Sequence, residues 1–182
     1  ILGRNTTLPA EAWSRYDGVY YGNIAQWLKY ANSLKLRMAM RLSYVKSDVA
    51  RAKAAEAIAG GVIEANADNA AMHAAENRTT LIYNDWGDHR VGADILCYMN
   101  GYKDPRRAKM FTQGTVGEGD AAVKGYYGLR IGTTPANKSK AVTACSSMLI
   151  TDTDPILWMN AAEIAFLRSE YELRWGSAVS AQ

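Results

Sequence analysis

An apolar residue returns every three or four positions from Ile24 to Val45, through Trp27, Leu28, Ala31, Leu34, Met38 and Leu42. That period belongs to an α-helix with one face turned to a core. Leu36 and Met40 add a second apolar edge, so the spacing predicts a wide buried face. Asn23 stands in the N-cap position, where a side-chain oxygen accepts a first-turn N–H. Lys29, Lys35, Arg37 and Arg41 fall beside or between the apolar edges and read as a solvated flank with packed alkyl stems. Ser47 and Asp48 then cap a second helix, Val49 to Ala59, stopped by Gly60-Gly61. Its six alanines let a neighbouring helix approach closely. A long helix, a short turn and an Ala-rich partner make a helical hairpin over about residues 24–59, the unit of helical repeat arrays.

A further helical block lies near the end. Asp154 as cap and Pro155 in the first helical position predict a scaffold helix over about residues 155–175, stopped by Gly176. Leu157, Trp158, Ala161, Ile164, Leu167 and Tyr171 leave it apolar around much of its circumference, as in a helix buried among others. Between the blocks the period is lost. Asn66, Asp68 and Asn69 read as turns, and Ala93 to Asn100 as a short helix ended by Gly101. Asp104-Pro105-Arg106-Arg107 suits a single helical turn. Six glycines and the pair Tyr126-Tyr127 between Thr112 and Thr134 predict a loop with short β-hairpins, and Pro135 to Lys140 another polar turn. Residues 1–23 read as a loop or short turns. The expected class is mainly α: a helical-repeat scaffold with a long irregular, Gly-rich excursion containing short β-hairpins. Irregular stretches of that length inside compact domains are usually functional, so about residues 62–153 form the candidate ligand region.

Composition narrows the chemistry. The net charge of +3 is spread along the 182 residues, which excludes the basic patch of a nucleic-acid binder. No uncharged stretch exceeds Ala141–Thr151 in length, too short to cross a bilayer. Cys97 and Cys145 lack a CxxC partner; they read as a disulfide or, preferred, as two buried free thiols. No recognised ligand spacing joins them to His73 and His89, so no metal or cofactor is expected. Two histidines leave few general bases, although carboxylate chemistry stays open. The aromatics number eleven Tyr and five Trp against two Phe, a bias toward rings with a polar edge. Trp27, Trp158 and Trp175 fall on helical stretches and are expected in the core.

Two strings are more specific than periodicity: WLKYANSLKLRMAMRLSYV at Trp27 to Val45, and AAEIAFLRSEYELRWG at Ala161 to Gly176. Between them lie AEAIAGGVIEANADNA, at Ala55 to Ala70, and WGDHRVGADILCYMNGYKDPR, at Trp86 to Arg106. In this order they resemble the SusD/RagB family of nutrient-binding outer-membrane lipoproteins, over roughly Trp27 to Gly176. The resemblance implies tetratricopeptide-like helix pairs carrying an irregular ligand region. It implies a place on the outer-membrane surface, held by an N-terminal lipidated cysteine, as a lid on a SusC-like TonB-dependent transporter. It implies binding of a glycan or oligosaccharide on aromatic platforms without catalysis. Family chains are usually longer, so residues 1–182 are expected to be a partial domain from the middle of a longer chain. Cys97 and Cys145 are internal, so any lipid anchor lies outside this sequence.

One face of a pyranose is a patch of C–H groups that packs on an indole or phenol ring, while its hydroxyls need paired donors and acceptors. Leu81 to Arg90 offers both: Tyr83 and Trp86 as rings, Asp85 and Arg90 as polar partners, with Asn84 and Asp88 nearby. The competing reading makes Trp86 a loop anchor and pairs Arg90 with Asp88. Tyr127 is a second candidate; neighbours on a strand face opposite ways, so at most one of Tyr126 and Tyr127 meets a ligand. Trp13, Tyr16, Tyr20 and Tyr21 are read either as a further exposed cluster or as packed rings. Glu163 and Glu170 lie on one helix face, and ion pairs with Arg168 or Arg174 are expected there rather than glycosidase chemistry. Asn5-Thr6-Thr7 and Asn77-Arg78-Thr79 match the short glycosylation pattern. Two other classes remain: a helical-repeat adaptor for a protein or peptide, and a glycan-processing enzyme with two converging carboxylates.

Overall fold

The computed structural model describes residues 10–176, with side chains from Trp13 onward. In chain order the elements are α1 (Ala10–Tyr16), α2 (Ile24–Arg41), α3 (Ser47–Ala59), β1 (Ala70–Met72), α4 (Ala93–Gly101), α5 (Arg107–Met110), β2 (Gly114–Val116), β3 (Val123–Gly125), α6 (Lys138–Ala144), β4 (Ile156–Met159) and α7 (Ala161–Trp175). The fold is mainly α. Two units share the chain: one runs up to Ala74 and resumes at Pro155, the other is Ala75–Asp154.

In the first unit α2 and α3 form the expected hairpin, and α7 packs on both. Asn23 caps α2 as predicted, its Oδ1 accepting from the Gln26 N–H at 3.2 Å. The Ala-rich face of α3 is used for close packing, with Ala50, Ala54 and Ala57 fully buried. The buried side of α2 differs from the expected one. Leu36, Ala39 and Met40 enter the core, whereas Met38, Leu42 and Val45 are exposed and the helix stops at Arg41. Two apolar stripes compete on this helix, and α3 and α7 approach the narrower one. Ser33 is also buried there, and its hydroxyl donates to the Lys29 carbonyl at 2.7 Å and accepts from the Ile63 N–H at 2.9 Å. A serine satisfied at both ends sits in a core without penalty.

The last helix begins at Ala161, not near Pro155. Residues Ile156–Met159 form β4, antiparallel to β1 with Leu157 opposite Ala71 and Ile156 opposite Met72. A run of four apolar residues does not by itself separate strand from helix, and Pro155 is tolerated at a strand's start. The working cap is Asn160, whose Oδ1 accepts from the Glu163 N–H at 2.8 Å. Asn69 takes a second open donor, the Ala161 N–H, at 2.8 Å. Nor is α7 buried all round: Ala161 and Ile164 are, while Phe166 and Leu173 are exposed. Glu163 pairs with neither Arg168 nor Arg174 but with Arg37, in a two-pronged contact at 2.6 and 2.7 Å that ties α2 to α7. Glu170 pairs with Arg174 as expected, at 2.8 Å, and Arg168 reaches Glu64 at 2.6 Å.

In the second unit Val91, Leu96, Met99 and Phe111 form a small core. The predicted hairpin is present, β2 and β3 pairing Gly114 with Gly125 and Val116 with Val123. The polar turn expected through Lys140 becomes α6 instead, capped by Asn137 accepting from the Lys140 N–H at 3.0 Å. Three irregular segments are stitched together by backbone bonds: Val91 N–H to the Ser146 carbonyl, Ser146 N–H to the Tyr127 carbonyl, and Leu129 N–H to the Val91 carbonyl. The seam needs glycine at 128, because a Cβ there would collide with the Ala93 backbone. Gly128→Ala is expected to destabilise this unit by about 2–3 kcal/mol. Urea denaturation followed by fluorescence measures it, and an unchanged midpoint would contradict the close approach.

Candidate functional site

Trp86, Tyr83, Asp85 and Arg90 meet on one structured turn. Leu81–Asp85 makes a single π-type turn, closed by the Trp86 N–H donating to the Leu81 carbonyl at 2.8 Å. Arg90 holds this turn from below. Its Nη1 donates to the Tyr83 carbonyl at 3.1 Å and the His89 carbonyl at 2.6 Å, and its Nε to the Val142 carbonyl at 3.4 Å. The guanidinium therefore does not pair with Asp88, which instead forms a short ion pair with Lys138. That hydrogen bond holds the Asp88 carboxyl below its ordinary range. Arg90 is a positioning group here. Trp86 is left with 59% of its surface exposed, which does not fit a scaffold anchor.

Beside the turn lies a cleft of about 390 Å³ lined by Gly87, Asp88, Arg90, Thr133, Thr134 and Lys138. It combines an ion pair and two hydroxyls with one open indole next to it in the chain. Tyr83 is half-buried, its ring 5.9 Å from that of His89, and Asp85 is exposed. Tyr127 does not join them. Its backbone is bonded to Ser146 and its ring lies against Gly125, where an added Cβ would meet the phenol oxygen at 2.9 Å. Tyr126 packs on the small core with the Arg107 guanidinium 5.0 Å above its ring.

The first unit holds a larger cavity, about 630 Å³, lined by Trp13, Tyr16, Trp27, Met72, His73 and Trp158. Sequence reasoning placed Trp27 and Trp158 in the core. Trp158 in fact sits on β4 with 40% of its surface exposed, and Trp27 is half-buried. The exposed cluster expected near the start is split as well, since Tyr20 is buried and its hydroxyl donates to the Asp68 carbonyl at 2.8 Å. Burial first, then the nearby Asp68, Tyr30 and Asp17, push its phenol up to about 12.

One residue missed from the sequence organises this region. Asp17 is 8% exposed, and its carboxylate accepts from the N–H groups of Val19 at 3.0 Å, Tyr20 at 3.2 Å and Gly22 at 2.8 Å, and from the Trp27 indole at 2.6 Å. Burial alone would raise its pKa, but these four donors outweigh it and hold the carboxyl below its ordinary value. An Asp followed by Gly, with a second Gly before the Asn23 cap, was the available signal of such a turn.

Both cysteines are free, but neither is buried as expected: Cys97 is exposed and Cys145 half-buried. Cys97 stands on the outer face of α4, and the Cys145 thiol is pushed up by partial burial against the opposing charge of Arg90. Asn77 cannot accept a glycan, because it is buried with its amide donating to the Asp154 carbonyl at 2.8 Å. Asn5 lies outside the described residues. Among the described residues no helix is long and apolar enough to cross a membrane.

A family model for SusD-like proteins, described as SusD and RagB outer-membrane lipoproteins, matches residues 2–181. Among solved structures, a SusD homologue from Bacteroides thetaiotaomicron is 48% identical with a TM-score of 0.86, over 95% of this chain and 36% of the other. A SusD homologue from Bacteroides ovatus is 36% identical with a TM-score of 0.81, over 99% of this chain and 39% of its own. A chitin-binding SusD homologue from Flavobacterium johnsoniae is 33% identical with a TM-score of 0.78, over 89% and 34%. The chain thus spans little more than a third of the length of these relatives. A search of curated protein sequences found no match.

Proposed function

Because the chain belongs to the SusD-like family of outer-membrane lipoproteins, we propose that it binds a glycan or related nutrient at the cell surface for a SusC-like TonB-dependent transporter, without altering it. The observation that carries this reading is the open Trp86 indole on a turn clamped by Arg90, next to a polar cleft. A pyranose would lay its C–H face on the indole. Its hydroxyls would meet the Asp88–Lys138 pair, Thr133 and Thr134, with Tyr83 and Asp85 at the side of the turn. Arg90 holds the turn through the Tyr83 and His89 carbonyls and also lines the cleft, within reach of the sugar. A preformed platform of this kind costs little ordering on binding. Tyr127 is not among the residues lining this cleft.

The chitin-binding relative supports a carbohydrate as ligand. Asp88, Glu163 and Glu170 are each committed to a cation, which favours binding over hydrolysis by two free carboxylates. The adaptor reading asks for buried aromatics, and Trp86 and Trp158 are exposed.

The test is calorimetric titration of the chain with chitotetraose and with cello-, malto- and mannotetraose. Trp86→Ala is expected to weaken binding at the cleft by about tenfold or more, which is about 1.4 kcal/mol. The thermal midpoint should stay put, since the indole supports little of the core. Unchanged affinity in a folded variant would remove Trp86 from the site.

A further inference from the structure

Beyond the Trp86 cleft, we propose that the 630 Å³ cavity of the first unit is a second, independent site for a neutral saccharide. Its walls are built from rings held in fixed positions. Asp17 anchors the Trp27 indole at 2.6 Å, and Trp27 meets Tyr20 and Tyr30 edge-on at centroid distances of 5.3 and 5.6 Å. Tyr30 then contacts Trp158 at 6.3 Å, so the series of rings ends on an indole that is 40% exposed. Trp13 and Tyr16 of α1 also line it, and His73 supplies an imidazole stacked 5.9 Å from Tyr21.

The class of ligand follows from what the walls offer. Among the described residues lining the cavity, Asp17 is the one carboxylate and no Lys or Arg joins it, and its oxygens are already used by four donors. The carboxylate keeps its negative charge, which disfavours anionic ligands, and has no open oxygen left for a cation, which points to a neutral ligand. The cavity is also open, with Tyr16 exposed at its edge. A wholly apolar ligand gains by enclosure, which this cavity does not give. A pyranose gains by laying one C–H face on a ring while its hydroxyl edge stays in water, and flat, open, aromatic walls match that need. A volume of this order lies within the range of small-ligand sites.

The site shares its ligand class with the reading of the Trp86 cleft, so the experiment has to separate the two. The full chain carrying Trp86→Ala is titrated with the same four tetrasaccharides. It should still bind one equivalent of at least one of them, and adding Trp158→Ala should weaken that binding by about tenfold or more. Trp158→Phe, which keeps a ring on the strand, should recover part of the loss and so excludes misfolding as its cause. In the Trp86→Phe chain, saturation should also protect the remaining indoles from acrylamide quenching. If the Trp86→Ala chain binds none of the sugars while the unaltered chain does, the cavity is not a site and the Trp86 reading stands. If Trp158→Ala leaves binding intact, the cavity proposal is overturned. If binding persists through Trp86→Ala undiminished and vanishes with Trp158→Ala, the cavity stands and the cleft falls. Binding by neither chain overturns both.

Discussion

Asp17→Ala is expected to lower the stability of the chain by about 4 kcal/mol. The carboxylate accepts four hydrogen bonds, from the backbone of Val19, Tyr20 and Gly22 and from the Trp27 indole. Removing it strands donors that cost about 1–3 kcal/mol each when buried and unpaired, though water reaches some of them. In a chain of this size the loss corresponds to about 10 °C in the thermal midpoint. Asp17→Asn keeps one acceptor but turns an NH₂ group toward N–H donors, so it should recover only part of the loss. The same geometry sets a pH dependence. The folded pKa is below the ordinary value, burial raising it and the four donors lowering it further. The stabilisation is therefore complete above the ordinary carboxylate range and is lost as pH falls through the lowered folded value. Thermal melts across the acid range should show this decline in the unaltered chain and a flatter profile in Asp17→Asn.

The second large effect separates the two apolar stripes of α2. Leu36 is fully buried, whereas Met38, two residues on, is 62% exposed. Leu36→Ala is expected to cost about 3 kcal/mol through lost burial and the cavity left between α2, α3 and α7. Met38→Ala should change stability by less than about 0.5 kcal/mol. Urea midpoints of the two variants measure the difference directly. Equal losses would mean that both stripes are packed.

These two residues also show how far the sequence could be read. The helix α2, its Asn23 cap and its Ala-rich partner follow from local period and capping chemistry, and all are present. Which of two apolar stripes is buried depends on where α7 arrives from a distant part of the chain, and no local pattern encodes that. The Arg37–Glu163 contact that ties the two helices spans 126 positions. The strand Ile156–Met159 was hidden for the same reason, its partner being Ala70–Met72. Short-range cues did locate the hairpin of β2 and β3, where turn glycines dominate.

The candidate site was legible in kind but not in geometry. Trp86 in an irregular segment with nearby carboxylates was visible from residue types alone. Arg90 clamps the turn through the nearby Tyr83 and His89 carbonyls and also reaches the Val142 carbonyl, 52 residues away, instead of pairing with Asp88. Residue types alone do not show which acceptors a guanidinium takes. Tyr127 looked equivalent to Trp86 by composition, yet its ring is taken up by Gly125. Trp158 was assigned to the core because it fell inside an apparent helix, and its strand turns it to the surface instead.

Saccharides are expected to bind on the exposed rings and not in the helical core. A nitrogen–proton correlation spectrum resolves the five indole N–H groups of the chain, and titration with the tetrasaccharides reads each of them. The Trp86 signal should shift with saturation, with Trp13 and Trp158 following if the cavity is filled, while Trp175, packed beside Tyr171 at 5.5 Å, stays in place. No shift at Trp86 at saturating sugar would contradict the account.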